Sequence, residues 1–172
     1  MKKFSIIVAV DTAMGVGKDG GLPWHFSEDM KYFKAVTTAE YAVGEQNVVI
    51  MGRKTWESLP EKYRPLSGRI NVVISSNKDY PLPQGALSFP SIESALAYAE
   101  TKKGKVFVIG GAKIFAQTIG HVQCEELFLT KIDKDFSCDV FFPTIPHSFE
   151  RKEILASKEE KGTFLQFLHL LK

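Results

Sequence analysis

Asn47-Val48-Val49-Ile50-Met51-Gly52-Arg53-Lys54-Thr55-Trp56-Glu57-Ser58-Leu59 decides the fold class of this 172-residue chain. Asn47 to Met51 is apolar after its first residue and does not alternate. Such a run suits a strand covered on both faces of a parallel sheet. Gly52 ends it, and Arg53 to Leu59 starts a short helix. Strand, glycine, helix is the repeating unit of an α/β domain. The free N–H groups at such a helix start can take a phosphate. Arg53 and Lys54 add positive charge where the helix dipole disfavours it. They are either ordinary surface cations or partners of an anionic ligand that resolves the conflict.

The same pattern recurs on both sides. Phe4 to Val10, Ile70 to Ile74 and Lys105 to Ile109 read as buried strands, and Ala86 to Phe89 as a short one. Arg69 opens the second of these; it is either solvated or a fork for a carboxylate. Ser75-Ser76-Asn77 falls at the carboxyl end of that strand, where α/β sheets bind ligands. Ile92, Ala95, Leu96 and Ala99 have helical spacing in Ser91 to Lys102, with Ser91 as cap and a stop near Gly104. Gly110-Gly111 leads into Ala112-Lys113-Ile114-Phe115-Ala116. That is either a tight strand-to-helix turn or a place where backbone approaches a ligand closely. Glu126 to Ile132 alternates, with Phe128, Thr130 and Ile132 in phase. Thr130 is then a strand hydroxyl bonding the backbone, or a partner for a polar group beneath the sheet. Asp139 to Pro143, Phe149 to Ala156 and Thr163 to Leu171 read as strands. The last two form a hairpin turned at Lys158 to Gly162. The expected fold is a three-layer α/β domain with a mainly parallel sheet, spanning 1–172 as one domain.

A second stretch, Gly20-Gly21-Leu22-Pro23-Trp24-His25-Phe26-Ser27-Glu28-Asp29-Met30-Lys31-Tyr32-Phe33, points to chemistry. It follows a loop, Asp11 to Gly21, whose glycines predict mobility. Ser27 is the expected N-cap, with two acids in the first turn. Phe26, Met30, Phe33 and Val36 form an apolar stripe at helical spacing. Asp29 falls within that stripe, while Glu28 points toward Tyr32 and Lys31. A carboxylate there is costly unless paired. It is either a partly exposed capping residue or the floor of an apolar pocket awaiting paired N–H donors. Thr37 to Gln46 reads as a polar surface connection.

Composition narrows the classes. The net charge of +2 gives no case for nucleic-acid or anionic-membrane binding, though a local basic patch could still hold a phosphorylated ligand, and the 44% hydrophobic content argues against disorder. Cys124 and Cys138 lack metal-ligand spacing and read as free thiols in a reducing cytosol. The opening apolar run is too short to span a membrane and reads as a first strand.

Five segments occur in one order: Leu22-Pro23-Trp24 with Asp29 and Tyr32-Phe33-Lys34; Val49 to Trp56; Arg64-Pro65-Leu66-Ser67-Gly68-Arg69; Ile109-Gly110-Gly111; and Leu129-Thr130-Lys131-Ile132-Asp133. Together they resemble dihydrofolate reductase over nearly the whole chain. The resemblance implies about eight strands with an antiparallel C-terminal edge hairpin and about four flanking helices. It implies reduction of 7,8-dihydrofolate to tetrahydrofolate by NADPH, supplying one-carbon metabolism, in a cytoplasmic monomer without nucleic-acid or membrane partners. Antifolates such as trimethoprim and methotrexate would bind the same site. Asp29, Leu22, Trp24 and Thr130 would be the catalytic set. Ile7, Val8, Met30, Phe33, Leu59, Arg69, Ile109 and Phe115 would join Asp29 and Thr130 against the substrate. Ala9, Val16, Gly17, Gly20, Gly52, Arg53, Lys54, Thr55, Ser75, Ser76, Gly110, Gly111, Ala112, Lys113, Ile114 and Phe115 would hold the cofactor, with no metal. Arg53, Lys54 and Ser76 would meet its 2′-phosphate, and a cis Gly-Gly peptide its pyrophosphate. Two positions depart from the family pattern. Leu22 stands where many members carry Met, and Phe115 where Tyr is common. A flavin-pathway reductase of the same fold and a non-catalytic NADPH-binding module are the alternatives.

Overall fold

The computed structural model describes residues 1–172. The buried runs form β1 (Phe4–Val10), β3 (Asn47–Gly52), β4 (Arg69–Ile74), β5 (Ala86–Phe89), β6 (Val106–Gly110) and β7 (Cys124–Ile132). They join the hairpin β9 (Arg151–Glu160) and β10 (Thr163–Leu171) in one eight-stranded sheet, ordered β5-β4-β3-β6-β1-β7-β10-β9. Pairing is parallel from β5 to β7 and antiparallel through β10 and β9.

Helices cover both faces. α3 (Ile92–Glu100) and α4 (Ala112–Thr118) lie over the face carrying Ile6, Val8, Ile50 and Leu127. α1 (Ser27–Thr38) and α2 (Arg53–Ser58) cover the face carrying Ile7, Met51, Val73 and Phe128. The alternation of β1 thus sends odd and even residues into different cores. Ser91 caps α3 in a capping box, as its sequence suggests.

Several local expectations are corrected. Asp11 to Gly21 is not wholly loop: Gly15–Gly17 forms β2. The Asp11 carboxylate organises it by accepting from the N–H groups of Ala13, Gly15 and Phe136 at 2.9, 2.7 and 3.1 Å. β2 pairs with β8 (Val140–Phe141), so the strand expected at Asp139 to Pro143 shrinks to two residues outside the main sheet. Ser27 is not an N-cap. Helical geometry starts at Ser27 itself, preceded by extended Phe26, whose apolar side chain cannot cap. Glu160 supplies the acceptor instead. Its Oε1 takes the Ser27 N–H at 3.0 Å and the Ser27 hydroxyl at 2.9 Å, and its Oε2 takes the Glu28 N–H at 3.0 Å.

Thr37 is not part of a surface connection. It is completely buried, and α1 continues through Thr38. The Asn47 amide closes this end by donating to the carbonyls of Thr37 and Ala39 at 3.0 and 2.8 Å. Glu61–Tyr63 adds a single 3-10 turn in the loop before β4. The final hairpin turns only at Lys161-Gly162, both at positive φ, so its first strand starts at Arg151 and runs on to Glu160 rather than spanning Phe149 to Ala156, while the second spans Thr163 to Leu171 as expected.

Candidate active site

The carboxyl ends of β1, β6 and β7 open onto a cavity of about 180 Å³. β1 contributes Ile7, Val8 and Ala9, β6 contributes Ile109 and Gly110, and β7 contributes Thr130. α1 crosses the mouth with Asp29, Met30, Tyr32 and Phe33. Leu59, Thr55, Gly111, Phe115, Val16 and Leu22 complete the wall. Eleven of the sixteen lining residues are hydrophobic, so Asp29 faces a mainly apolar space. Burial pushes its pKa up to about 6; the Thr130 hydroxyl pulls it down, and the negative charge of Glu160 pushes it up further. Glu28 instead forms a surface pair with Lys31 at 3.2 Å.

Trp24 is buried on the same side, against Phe26, Ile132, Leu165 and Phe167. Its indole N–H finds no protein acceptor. A buried donor of this kind is ordinarily satisfied by water or ligand. Leu22 is 59% exposed at the rim, on the segment following β2.

A groove of about 620 Å³ continues from this cavity. Val16, Leu22, Thr55 and Gly111 line both. Gly17, Gly20, Gly52, Arg53, Lys54, Ser75, Ser76, Ala112, Lys113 and Ile114 line the groove alone. The helix starts of α2 and α4 lie on its wall without side-chain caps. Gly52 and Gly111 keep that wall thin. A Cβ on Gly111 would stand 3.0 Å from the Thr55 hydroxyl oxygen, and one on Gly52 would stand 3.2 Å from Ile114. The Gly110-Gly111 peptide is cis. Arg53, Lys54 and Lys113 supply cations, Ser75 and Ser76 hydroxyls; Arg53 also pairs with Glu57 at 3.6 Å. Exposed backbone N–H groups, glycines and cations are the donor set for a pyrophosphate-bearing cofactor.

The residues expected around a substrate therefore share one cavity, with two exceptions. Trp24 stands behind it. Arg69 lies outside the lining residues: it is 7% exposed, donates from Nε to the Ser67 carbonyl at 3.0 Å and from a terminal nitrogen to Thr37 Oγ1 at 2.9 Å, and lies 5.7 Å from the Phe33 ring centre. Of the cofactor set, Ala9, Gly110 and Phe115 face the cavity rather than the groove. Phe115 packs edge-on against Phe142 with ring centres 5.0 Å apart. Sequence reasoning missed Tyr32, which lines the cavity instead of lying beside Glu28 on the outer face. Its spacing three after Asp29 was the available signal. Lys18 and Gln117 in the groove and Glu160 on the helix start were also missed, and no local pattern marks them.

The dihydrofolate reductase family model matches residues 3–172. The chain belongs to the dihydrofolate reductase family. It is 35% identical to the dihydrofolate reductase of Heliothis virescens across 99% of this chain and 97% of that one. It is 41% identical to a bifunctional dihydrofolate reductase-thymidylate synthase of Arabidopsis thaliana across 84% of this chain, which spans 27% of that longer protein. The dihydrofolate reductase of Schistosoma mansoni superimposes with a TM-score of 0.86 at 32% identity, covering 99% of this chain and 98% of the other. This chain is an oxidoreductase that reduces dihydrofolate with a nicotinamide cofactor. Folate analogues are its small-molecule ligands, and the alternatives of a flavin-pathway reductase or a binding module are not favoured. No helix is long and apolar enough to cross a membrane.

Proposed function

We propose that NADPH is the hydride donor and that Asp29 recognises 7,8-dihydrofolate. The observation that carries this reading is Asp29 on the wall of an apolar cavity continuous with a cationic, glycine-lined groove. Arg53, Lys54 and Ser76 would hold the 2′-phosphate, while Thr55, Ser75, Gly111, Ala112, Lys113 and Ile114 would cradle the rest of the phosphate chain. When bound, the reduced nicotinamide supplies the hydride.

The protein's share is alignment and charge. An ionised Asp29 accepts two N–H donors from the pterin edge, its 2-amino group and the adjacent ring nitrogen, and favours the protonated pterin. Thr130 steadies that carboxylate. Asp29 sits too far along the ring to protonate the imine nitrogen itself. A water admitted under Leu22 delivers that proton, and the unpartnered Trp24 indole N–H orders water beside Asp29. The carbonyls of Ile7 and Ile109 accept from the pterin and its neighbours. Val8, Met30, Phe33, Leu59 and Phe115 exclude bulk water, strengthening each polar contact. Arg69 binds the α-carboxylate of the glutamate tail with its remaining donors.

One chain contains every group this scheme uses, so a monomer suffices for turnover. Two free thiols, Cys124 and Cys138, suit a reducing cytosol. The test is the loss of reduced-nicotinamide absorbance on adding dihydrofolate, run with NADPH and with NADH. The expected result is turnover at least about tenfold more efficient with NADPH, the worth of one charge-assisted contact near 1.4 kcal/mol. Equal efficiency with both would remove the phosphate roles of Arg53, Lys54 and Ser76.

A further inference from the structure

Three buried side-chain nitrogen or oxygen atoms have no hydrogen-bond partner in the protein: the Trp24 indole nitrogen, the Tyr32 hydroxyl and His169 Nε2. Trp24 borders the substrate site. The other two are unused by the chemistry above, and each is costly to bury unless something satisfies it. They lie in one aromatic layer between α1 and the sheet. The Tyr32 ring is 4.4 Å, centre to centre, from Phe167 of β10. His169 is two residues further along β10, on the same face. Its ring stacks on Phe128 of β7 at 4.4 Å, within 9° of parallel. Tyr32 packs against both apolar clusters that meet here, the one holding Phe128 and the one holding Phe167. Thr130 stands opposite Phe167 and Phe128 opposite His169, so the layer begins one side chain below the cavity wall.

Each of these atoms stands between two partners. Tyr32 has a single O–H proton to give. Burial raises its pKa to about 12, with Tyr41 and the Asp29 carboxylate adding to the rise, so the hydroxyl stays a donor. Asp29, within electrostatic reach, is one acceptor for that proton, and a lone pair on His169 Nε2 is the other. His169 Nε2 in turn faces Glu126 Oε1 at 3.7 Å, just beyond hydrogen-bonding distance. The other oxygen of Glu126 is occupied: it accepts from the Ser5 hydroxyl at 2.6 Å and pairs with Lys105. Oε1 is therefore left for an N–H from His169. Imidazole offers a lone pair or an N–H at this nitrogen according to its protonation.

We propose that His169 is a positioning residue for Asp29 and acts through the Tyr32 hydroxyl. Neutral His169, with its proton on Nδ1, takes the Tyr32 O–H at Nε2, directly or through one water. Protonated His169 gives its Nε2–H to Glu126 and leaves the Tyr32 O–H to Asp29. The ionised Asp29 then has two hydroxyl donors, Thr130 and Tyr32, and keeps its charge further into acid. The other charged groups around His169 divide in sign. Glu153 of β9 stands directly opposite it and favours the imidazolium, as Glu126 does; Lys105, and Arg151 beside Glu153 on the same face, oppose it. Tyr41 lies near Glu126, and burial together with that charge raises its pKa. The part His169 plays in turnover rests on Asp29 recognising the pterin, whereas the hydrogen-bond exchange does not.

Nuclear magnetic resonance titration of the ligand-free protein tests the exchange, reading His169 through its ring C–H signals and Asp29 through a labelled carboxyl carbon. Tyr32→Phe removes the donor that favours neutral His169 and should tighten its proton binding by at least about threefold. Glu126→Gln removes the acceptor that favours the imidazolium and should loosen it by at least as much. The Asp29 signal of wild type should respond as His169 titrates. Tyr32→Phe and His169→Phe, which keeps the ring on Phe128, should each erase that response. A response that persists in Tyr32→Phe passes through space and overturns the proposal. So do shifts of the same sign in Tyr32→Phe and Glu126→Gln, or a larger shift in Glu153→Gln than in Glu126→Gln. In turnover, Tyr32→Phe should lower kcat/KM for dihydrofolate by about threefold on the acid side, with the loss fading as pH rises and NADPH affinity unchanged. A loss equal at every pH would make Tyr32 a packing residue only and overturn its link to Asp29. The titrations need no substrate, so their outcome is separable from the role of Asp29 in turnover.

Discussion

The cavity and the groove meet at Val16, Leu22, Thr55 and Gly111 but recognise by opposite means. The cavity is small, apolar and centred on one carboxylate whose pKa burial has pushed up to about 6. The groove is larger, and it offers cations, hydroxyls and thin backbone walls. A single buried charge discriminates strongly because nothing else there can satisfy its partner. Many solvated contacts share the work, so each contributes less. Changes in the cavity should therefore be severe and specific, and changes in the groove graded.

Asp29→Asn should have the largest effect. It keeps the shape and removes the charge that favours a protonated pterin. kcat/KM should fall by roughly 10²–10⁴ near neutral pH, the usual contribution of a positioned acid–base group. The loss should shrink as pH falls, because the substrate then arrives protonated. NADPH affinity should not change. A pH profile with Glu28→Gln as control measures this: a loss equal at every pH would reduce Asp29 to a binding group, and a greater loss in Glu28→Gln would move the role to the neighbouring acid.

The groove is probed by replacing Arg53 and Lys54 with alanine, singly and together. Each replacement should cut the preference for NADPH over NADH by about tenfold or more, since charge-assisted hydrogen bonds contribute ~1.5–3 kcal/mol. Dihydrofolate KM should hold steady. A collapse confined to the double variant would mean that either cation suffices, contrary to the graded behaviour expected.

Arg69 stands between the two modes. It is buried, yet it already donates to Ser67 and Thr37. Arg69→Lys keeps the charge and loses the fork, so dihydrofolate KM should rise by about tenfold with NADPH binding unchanged. A pterin without a glutamate tail should be indifferent. If both substrates suffer alike, the residue's work is to tie β4 to α1.

The smallest effects concern stability. Asp29 has a folded-state pKa above that of the unfolded chain, so the folded form binds the extra proton. Its burden on stability is full above pH 6 and is relieved as pH falls from 6 toward 4. Asp29→Asn should therefore raise the Tm at pH 8 and not at pH 4, an activity–stability trade. Glu160 has the opposite sign. The N–H groups of Glu28 and Ser27 hold its pKa down at about 2, so its contribution is present above the ordinary glutamate range and fades as pH drops toward 2. Glu160→Gln should lower the Tm at neutral pH and leave it nearly unaltered in strong acid. Removing the Glu160 charge should also shift the Asp29 titration downward.

Short-range patterns carried much of this. Buried runs identified the parallel strands, Ser91 announced its helix, and the stripe through Phe26, Met30 and Phe33 exposed Asp29 as anomalous. What stayed illegible depends on residues far apart in the chain. Ser27 looks like a cap, but the acceptor is Glu160, more than 130 positions away. Thr37 looks like the start of a loop until Arg69 reaches it across β3. The bulge in β9, where Ala156 stands opposite Phe167 and Ile154 opposite Leu168 so that Leu155 has no partner, is invisible without the opposing strand. The resemblance named Arg69 for its role, but only packing reveals that the side chain is committed to two acceptors already.

The Glu160 contact has a kinetic consequence. The helix that presents Asp29 is completed by a carboxylate on the hairpin at the far end of the sheet. Closing so long a loop is entropically expensive and comes late in assembly. A partly folded chain with the parallel half of its sheet formed would still carry an unfinished α1. A ligand that needs a completed α1 would therefore favour the folded chain over such a species.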